Sequence, residues 1–253
     1  MAEVLKGKVA VITGGTTGIG LAIAKQFVAE GATVIVTGLE REELDLAVKD
    51  IGANSFGAKA DASSLAEMDT LLKDVKSKYG RLDTVIANAV TDQHAPLGKI
   101  TEEQFDKMMD TNLKGILFTV QSAVPLMPND GTIILIGSTA SVAPPAGMSI
   151  YGAIKGGFHG MVRSLIKDVK GTGVRINILS PGAVDTPSLR RALGKASGAD
   201  NADSIIKSIA ERSPLGRIGS ASEIGKVAVF LASDASSYVN GVELFVDGGL
   251  TQV

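Results

Sequence analysis

The chain places Tyr151 and Lys155 four residues apart, with Ser138 thirteen positions upstream. A phenol is a poor acid at neutral pH, with an ordinary pKa of about 10, and a general acid works best when its pKa lies near the operating pH. Residues at i and i+4 share one helix face. Lys155 would therefore sit one turn beyond Tyr151 on the same side, where an ammonium favours the phenolate and lowers the phenol's pKa. Ser138 would hydrogen-bond the oxygen that Tyr151 protonates. This is chemistry for moving a proton onto or off a carbonyl oxygen. Taken alone, the spacing also fits an ordinary amphipathic surface helix, so the rest of the chain must decide.

The elements that would position these groups are legible as an alternation of short apolar runs with helix-period segments. Strands are expected at Val9–Thr13, Thr33–Thr37, Ser55–Lys59, Thr84–Asn88, Thr132–Gly137, Arg175–Ser180 and Glu243–Val246. Continuous runs such as Ile133-Ile134-Leu135-Ile136 suit strands buried on both faces of a parallel sheet. Ser64 with Glu67, and Thr101 with Gln104, have capping-box spacing, and Gly31 and Gly80 stand where helices should end. Seven strands with crossover helices predict an α/β fold, a doubly wound Rossmann-type sheet with helices on both faces, in one domain spanning 1–253. One stretch breaks the rhythm. Between Pro181 and Ser213 lies an excursion with no strand of its own, carrying Pro187, Gly194 and Gly198, and ending at Pro214. Its root follows a strand directly, so a lid over the substrate is expected at 183–213.

The first strand runs into Thr13-Gly14-Gly15-Thr16-Thr17-Gly18-Ile19-Gly20 and then a helical segment. Glycines there let the chain turn tightly and bring backbone N–H groups against a pyrophosphate, and the helix N-terminus adds a positive dipole end. In its strand–loop–helix setting this is a dinucleotide-binding signal. The ribose-reading position at the end of the second strand is Thr37-Gly38-Leu39-Glu40-Arg41. No carboxylate stands at Thr37 or Gly38 to repel a 2′-phosphate, and Leu39 offers no charge to hold one. Arg41 is placed to reach such a phosphate and Glu40 to accept from a ribose hydroxyl. The balance tips slightly to NADP(H) over NAD(H). Asp61, after the third strand, is read either as an acceptor for the adenine amino group or as a helix cap.

Composition narrows the alternatives. With 253 residues, 45% of them hydrophobic and 21% charged, the chain is large enough to bury a substantial core. A net charge of −2 without a basic block argues against nucleic acid as a partner. No cysteine is present, which excludes disulfides and thiol catalysis. With His94 and His159 as the only histidines, no metal site is expected. Met1–Lys8 lacks the pattern of a signal peptide, and no apolar run is long enough to span a membrane. A cytoplasmic protein is expected.

Together these residues resemble the short-chain dehydrogenase/reductase family over essentially the whole chain. The matching motifs are Thr13-Gly14-xxx-Gly18-Ile19-Gly20, Asp61, Asn88-Ala89, the set Asn112, Ser138, Tyr151 and Lys155, and Pro181-Gly182 with Thr186. The tail from Pro214-Leu215-Gly216-Arg217 through Phe230-Leu231-Ala232-Ser233 to Val246-Asp247-Gly248-Gly249 is typical of bacterial members, and the details resemble ketoreductases and secondary alcohol dehydrogenases. The resemblance implies a catalytic role for Asn112, Ser138, Tyr151 and Lys155. Tyr151 is the acid in reduction and the base in oxidation, Lys155 lowers its pKa and bonds the nicotinamide ribose, and Ser138 orients the substrate oxygen. Asn112 interrupts the helix and holds a water. Implied cofactor contacts are Gly14, Thr16, Thr17, Gly18, Ile19, Gly38, Leu39, Asp61, Ala62, Asn88, Ala89, Tyr151, Lys155, Pro181, Gly182, Val184 and Thr186. Two positions depart from the family: Val90 replaces a glycine after Asn-Ala, and Leu39 stands where NADP-dependent relatives often carry arginine.

The implied reaction is reversible hydride transfer between a nicotinamide cofactor and a ketone or secondary alcohol. The substrate pocket is expected from Thr139–Met148, Val90–Gln93 and the lid, with Pro144, Pro145, Met148, Val184 and Leu189 making it mostly apolar. Arg190 and Arg191 are read as a solvated helix face, and both histidines as structural or surface groups. Acyl carrier protein thioesters are the alternative substrate, and a non-catalytic dinucleotide sensor is the rival from another class. A homotetramer is implied, with contacts through Tyr151–Val169 and Phe230–Val253.

Overall fold

The structure, a computed structural model of the chain, describes residues 3–91, 93–197 and 201–253. Seven parallel strands form one sheet: β1 Val9–Ile12, β2 Thr33–Gly38, β3 Ser55–Lys59, β4 Thr84–Ala87, β5 Thr132–Ile136, β6 Arg175–Pro181 and β9 Glu243–Val246. Their spatial order is β3-β2-β1-β4-β5-β6-β9. The β-branched runs dictate this: every residue of β1, β4, β5 and β6 is buried, so both faces of those strands must be covered. The direction of winding reverses between β1 and β4, which pair in parallel with Ile12 opposite Ile86. A crevice must open at the carboxyl ends of these two strands.

Helices cover both faces. On one side α1 (Gly18–Ala29), α2 (Arg41–Ile51) and α9 (Ala221–Ala232) enclose a core around Ile12, Ile23, Phe27, Val36, Ile134 and Leu231. On the other, α3 (Leu65–Tyr79), α5 (Ile116–Ala123) and α6 (Ser149–Asp168) cover Val11, Leu72, Val85, Val120, Ile133 and Phe158. The remaining helices are α4 (Glu102–Met109), α7 (Pro187–Ser197) and α8 (Ala202–Arg212), and residues of α4 and α7 line the cavities described below.

The expected caps form with one change. Thr101 and Gln104 make a reciprocal capping box at α4. Ser64 caps α3 by accepting from the Glu67 N–H at 3.4 Å, but the Glu67 carboxylate turns instead to the Asp61 N–H at 2.9 Å. Gly80 ends α3 with φ +72°, a conformation costly for any side chain with a Cβ.

The excursion after β6 does contain a strand, contrary to the expectation. β7 (Val184–Asp185) pairs with β8 (Gly219–Ser220) in a separate two-stranded sheet. Two-residue strands carry too few side chains to show an alternation. Then come α7 and α8. Gly198, one of the residues that marked this stretch, lies outside the described residues, as do Met1, Ala2 and Asp92.

Candidate active site

The loop between β1 and α1 is built for close approach. Gly14 has φ +61°, and a Cβ there would lie 2.9 Å from the Ala89 Cα. A Cβ on Gly20 would lie 2.6 Å from both the Asn88 Nδ2 and the Gly14 carbonyl oxygen. The Asn88 amide in turn donates to the carbonyls of Thr13 and Gly14, each at 2.9 Å. The Thr13 hydroxyl accepts from the Asn88 and Ala89 N–H groups. The ends of β1 and β4 are thereby laced into one floor. Helix α1 opens from Thr17 without a side-chain cap and without an acidic residue in its first turn. Its first N–H groups and its dipole are available to an anion. The donor set and the absence of Cβ atoms fit the diphosphate of a nicotinamide dinucleotide.

A cleft of about 310 Å³ runs from this loop over the sheet edge. Its lining brings together Gly14, Thr16, Thr17, Gly18, Ile19, Asn88, Ala89, Ser138, Tyr151, Lys155, Pro181, Gly182 and Thr186. A second cavity of about 1060 Å³ continues it past Gly38, Leu39, Asp61 and Ala62, sharing Gly14, Thr16, Ala89 and Val90 with the first. Val184 is the exception among the expected cofactor contacts. Its side chain is 4% exposed and belongs to the core beneath the sheet, because pairing with Gly219 turns it inward.

The proton-transfer groups sit at one end of the first cleft. Ser138 follows β5, and its hydroxyl accepts from the Ala140 N–H at 3.1 Å, which fixes its orientation. Tyr151 and Lys155 occupy successive turns of α6, as the spacing required. The Lys155 Nζ donates to the Ile136 carbonyl at 2.6 Å and lies 4.7 Å from the Phe158 ring centre and 5.4 Å from that of Tyr151. Only 3% of Lys155 is exposed. Burial pushes its pKa down from 10.5 to about 7, since a charged amine is poorly solvated there.

Asn112 is fully buried in a π-helical turn, Asp110–Gly115, between α4 and α5. Its Oδ1 accepts from the Thr91 N–H at 2.9 Å and its Nδ2 donates to the Thr91 carbonyl at 2.7 Å. The side chain thus pins the loop after Val90, and it does not line the cleft. Val90 lines both parts of the cleft and is 51% exposed. Among the described residues the one non-glycine with positive φ is Asn54, so the valine adds bulk without backbone strain.

Other expected residues fall elsewhere. Asp61 lines the second cavity, and its Oδ1 accepts from the N–H and hydroxyl of Ser63 in the turn before α3, whose cap is Ser64 and not Asp61. Leu189, Pro144, Pro145 and Met148 do not line the described cleft; Pro144 packs on Gly152. Arg190 is clamped by Asp185 at 2.7 Å and Asp203 at 2.8 Å. Arg191 is exposed, as a solvated helix face requires, and also borders the second cavity. His94 bonds the Ala146 carbonyl at 2.8 Å and ties two loops together. Sequence reasoning overlooked Ser188 in the first cleft and Glu43 in the second; neither belongs to a motif or carries a spacing signal.

Comparison with known proteins agrees with this geometry. The family model described as Enoyl-(Acyl carrier protein) reductase matches residues 14–251. Oxidoreductase asL5 of Sarocladium schorii is 44% identical over 251 residues, 98% of each chain. The 3-oxoacyl-[acyl-carrier-protein] reductase FabG of Thermotoga maritima is 36% identical over 253 residues, covering 97% of this chain and 98% of the relative. A solved structure from Brucella melitensis, described as a short-chain dehydrogenase/reductase of the glucose/ribitol dehydrogenase kind, superposes with a TM-score of 0.91 at 30% identity over 99% of both chains. The chain therefore belongs to the short-chain dehydrogenase/reductase family, oxidoreductases that use NAD(P)(H) on small-molecule substrates.

Proposed function

We propose that the protein is a carbonyl reductase and alcohol dehydrogenase, interconverting an uncharged ketone and its secondary alcohol. The observation that carries this reading is the meeting of Ser138, Tyr151 and Lys155 with the Gly14–Ile19 loop and Pro181–Gly182 in one cleft. A nicotinamide dinucleotide supplies or accepts the hydride when bound. Tyr151 gives its phenolic proton to the substrate oxygen in reduction and takes it back in oxidation. Ser138 donates to the same oxygen and holds it near the phenol. Lys155 acts from beneath, as a cation whenever it holds its proton, and Asn112 keeps the Thr91 turn in register. Residues 1–253 work as one dinucleotide-binding and catalytic domain, with 183–213 as its lid; Thr186 and Ser188 at the lid's root already reach the cleft. Replacing Tyr151 by Phe should leave dinucleotide binding intact and cut kcat by at least about a hundredfold. A Y151F enzyme retaining most of its turnover would overturn the assignment.

The charge around the second cavity bears on the cofactor. Arg41, which on sequence grounds could reach a 2′-phosphate, is engaged by Asp45 at 3.1 Å. Carboxylates outnumber cations in the lining: Glu40, Glu43 and Asp61 stand there with Leu39, and Lys107 and Arg191 are its cations. A 2′-phosphate would meet carboxylates there, whereas a ribose diol can donate to them. This shifts the slight sequence-based preference for NADP(H) towards NAD(H). Kinetics with NADH and NADPH on a graded ketone panel decide it; a higher kcat/KM with NADPH would reject the charge argument.

The relative named as an acyl carrier protein reductase supports a second reading, a 3-oxoacyl thioester substrate. An acidic carrier would need unpaired cations at the lid, and Arg190 is already held by two aspartates. Direct competition between a simple ketone and a 3-oxoacyl thioester separates the two. We also infer a homotetramer, supported by exposed Phe230, Tyr238, Val242 and Val253 in the tail. Sedimentation as a monomer would reject it. No helix among the described residues is long and apolar enough to cross a membrane.

A further inference from the structure

Glu243, the first residue of β9, has a carboxylate with no part in the chemistry above. Strand positions in such a sheet ordinarily hold apolar side chains, and burying a carboxylate is costly unless it is hydrogen-bonded. Only 6% of this side chain is exposed. One oxygen, Oε1, accepts from the Ser141 hydroxyl at 2.6 Å and from the Ser180 hydroxyl at 2.7 Å. The other lies 3.5 Å from the His159 Nδ1 on α6. Ser141 closes the short helical turn Thr139–Ser141 that begins just after Ser138. Ser180 is fully buried and immediately precedes Pro181–Gly182 in the cleft. A single oxygen atom therefore joins the segment carrying the substrate-orienting hydroxyl to the segment that brings Pro181 and Gly182 into the cleft lining.

The neighbouring backbone makes this a tight joint. Any Cβ on Gly137 would run into the Ser180 hydroxyl, so the ends of β5 and β6 touch at this level. Charge-assisted O–H···O⁻ bonds are short and roughly twice as strong as neutral ones. An apolar residue at 243 would leave both hydroxyls to find other partners and free the two segments to move separately.

We propose that Glu243 is a positioning residue that sets the distance between Ser138 and Pro181–Gly182. This rests on reading the cleft as a hydride-transfer site. Orientation is where such a residue acts, because a misplacement of about 1 Å can cost on the order of a hundredfold in rate.

The test compares wild type, E243A, E243Q and S141A. Three quantities are measured: steady-state kinetics with NADH or NADPH and a ketone accepted by wild type, dinucleotide affinity from nicotinamide fluorescence, and amide hydrogen exchange without cofactor. E243A should lower kcat about tenfold or more while KM for the dinucleotide stays within about threefold. Exchange should quicken at 138–142 and 180–182 together. E243Q keeps an acceptor oxygen and should restore kcat to within about threefold of wild type. S141A, a milder change that removes one donor, should move kcat and exchange at 138–142 in the same direction if E243A fails to fold. Wild-type kcat in E243A, E243Q as slow as E243A, or exchange that quickens only within β9 would each overturn the proposal. If wild type reduces no carbonyl, the hydride-transfer reading falls on its own. The exchange pattern then decides the joint: paired loosening in E243A but not E243Q upholds it, and any other pattern rejects it.

Discussion

Lys155 makes a sharp prediction because its environment is so one-sided. The amine is buried and donates to the Ile136 carbonyl. Desolvation takes its pKa from 10.5 to about 7. That drop spans three to four pH units, each worth about 1.4 kcal/mol, so on the order of 5 kcal/mol separates the two protonation states relative to the unfolded chain. The sign follows from proton counting. Below pH 7 both folded and unfolded chains hold the proton, and the fold bears the full cost of the buried charge. Between about pH 7 and 10.5 the unfolded chain binds more protons, so stability rises with pH. K155M fills similar space and has no proton to lose. Denaturant unfolding of wild type and K155M, without cofactor and at one protein concentration, should give a difference that is flat from pH 6 to 7. Above that it should move in favour of wild type by about 1.4 kcal/mol per unit, reaching roughly 2 to 3 kcal/mol at pH 9. Groups common to both proteins cancel. A difference constant from pH 6 to 9 would refute the reasoning, since it would mean Lys155 keeps its ordinary pKa despite burial.

Three further outcomes are expected. G20A should abolish dinucleotide binding and destabilise the fold by about 1–3 kcal/mol, because its methyl group must displace Asn88 or the Gly14 carbonyl; calorimetry and binding titration read both, and unchanged affinity would count against the cradle. N112A should cost about 1–3 kcal/mol through the two lost bonds to Thr91, measured as a lower denaturant midpoint. L39R places a guanidinium at a 55%-exposed position beside the second cavity, and should lower KM for NADPH about tenfold or more while leaving NADH nearly unchanged.

Much of this was legible beforehand, and the reasons are physical. Strands β1, β2, β4 and β5 are legible to within a residue at their ends because parallel strands buried on both faces must be continuous apolar runs. Tyr151 and Lys155 could be paired because helix geometry converts a spacing of four into adjacency. Distance in the chain defeats the same logic elsewhere. Glu243 meets Ser141 and Ser180 across 102 and 63 positions, so no local pattern announces it. The pairing of Arg41 with Asp45 was available at i, i+4, but only side-chain placement shows that it competes with a role at the ribose. The family resemblance predicts Val184 in the cleft; its place in β7 leaves its side chain in the core.

The π-helical turn at Asp110–Gly115 imposes a rule on the helix that follows it. The turn holds one residue more than an ordinary helical turn, and that surplus sets the phase of everything after it. If the same residues relaxed to ordinary i→i+4 bonding with none removed, every later residue would rotate by about 100° around the axis. Ile116, Val120 and Ala123, now buried, would then swing out of the core they fill. The irregular turn is thus locked in place by the regular helix beyond it, and the length of the segment carries information that no individual residue does.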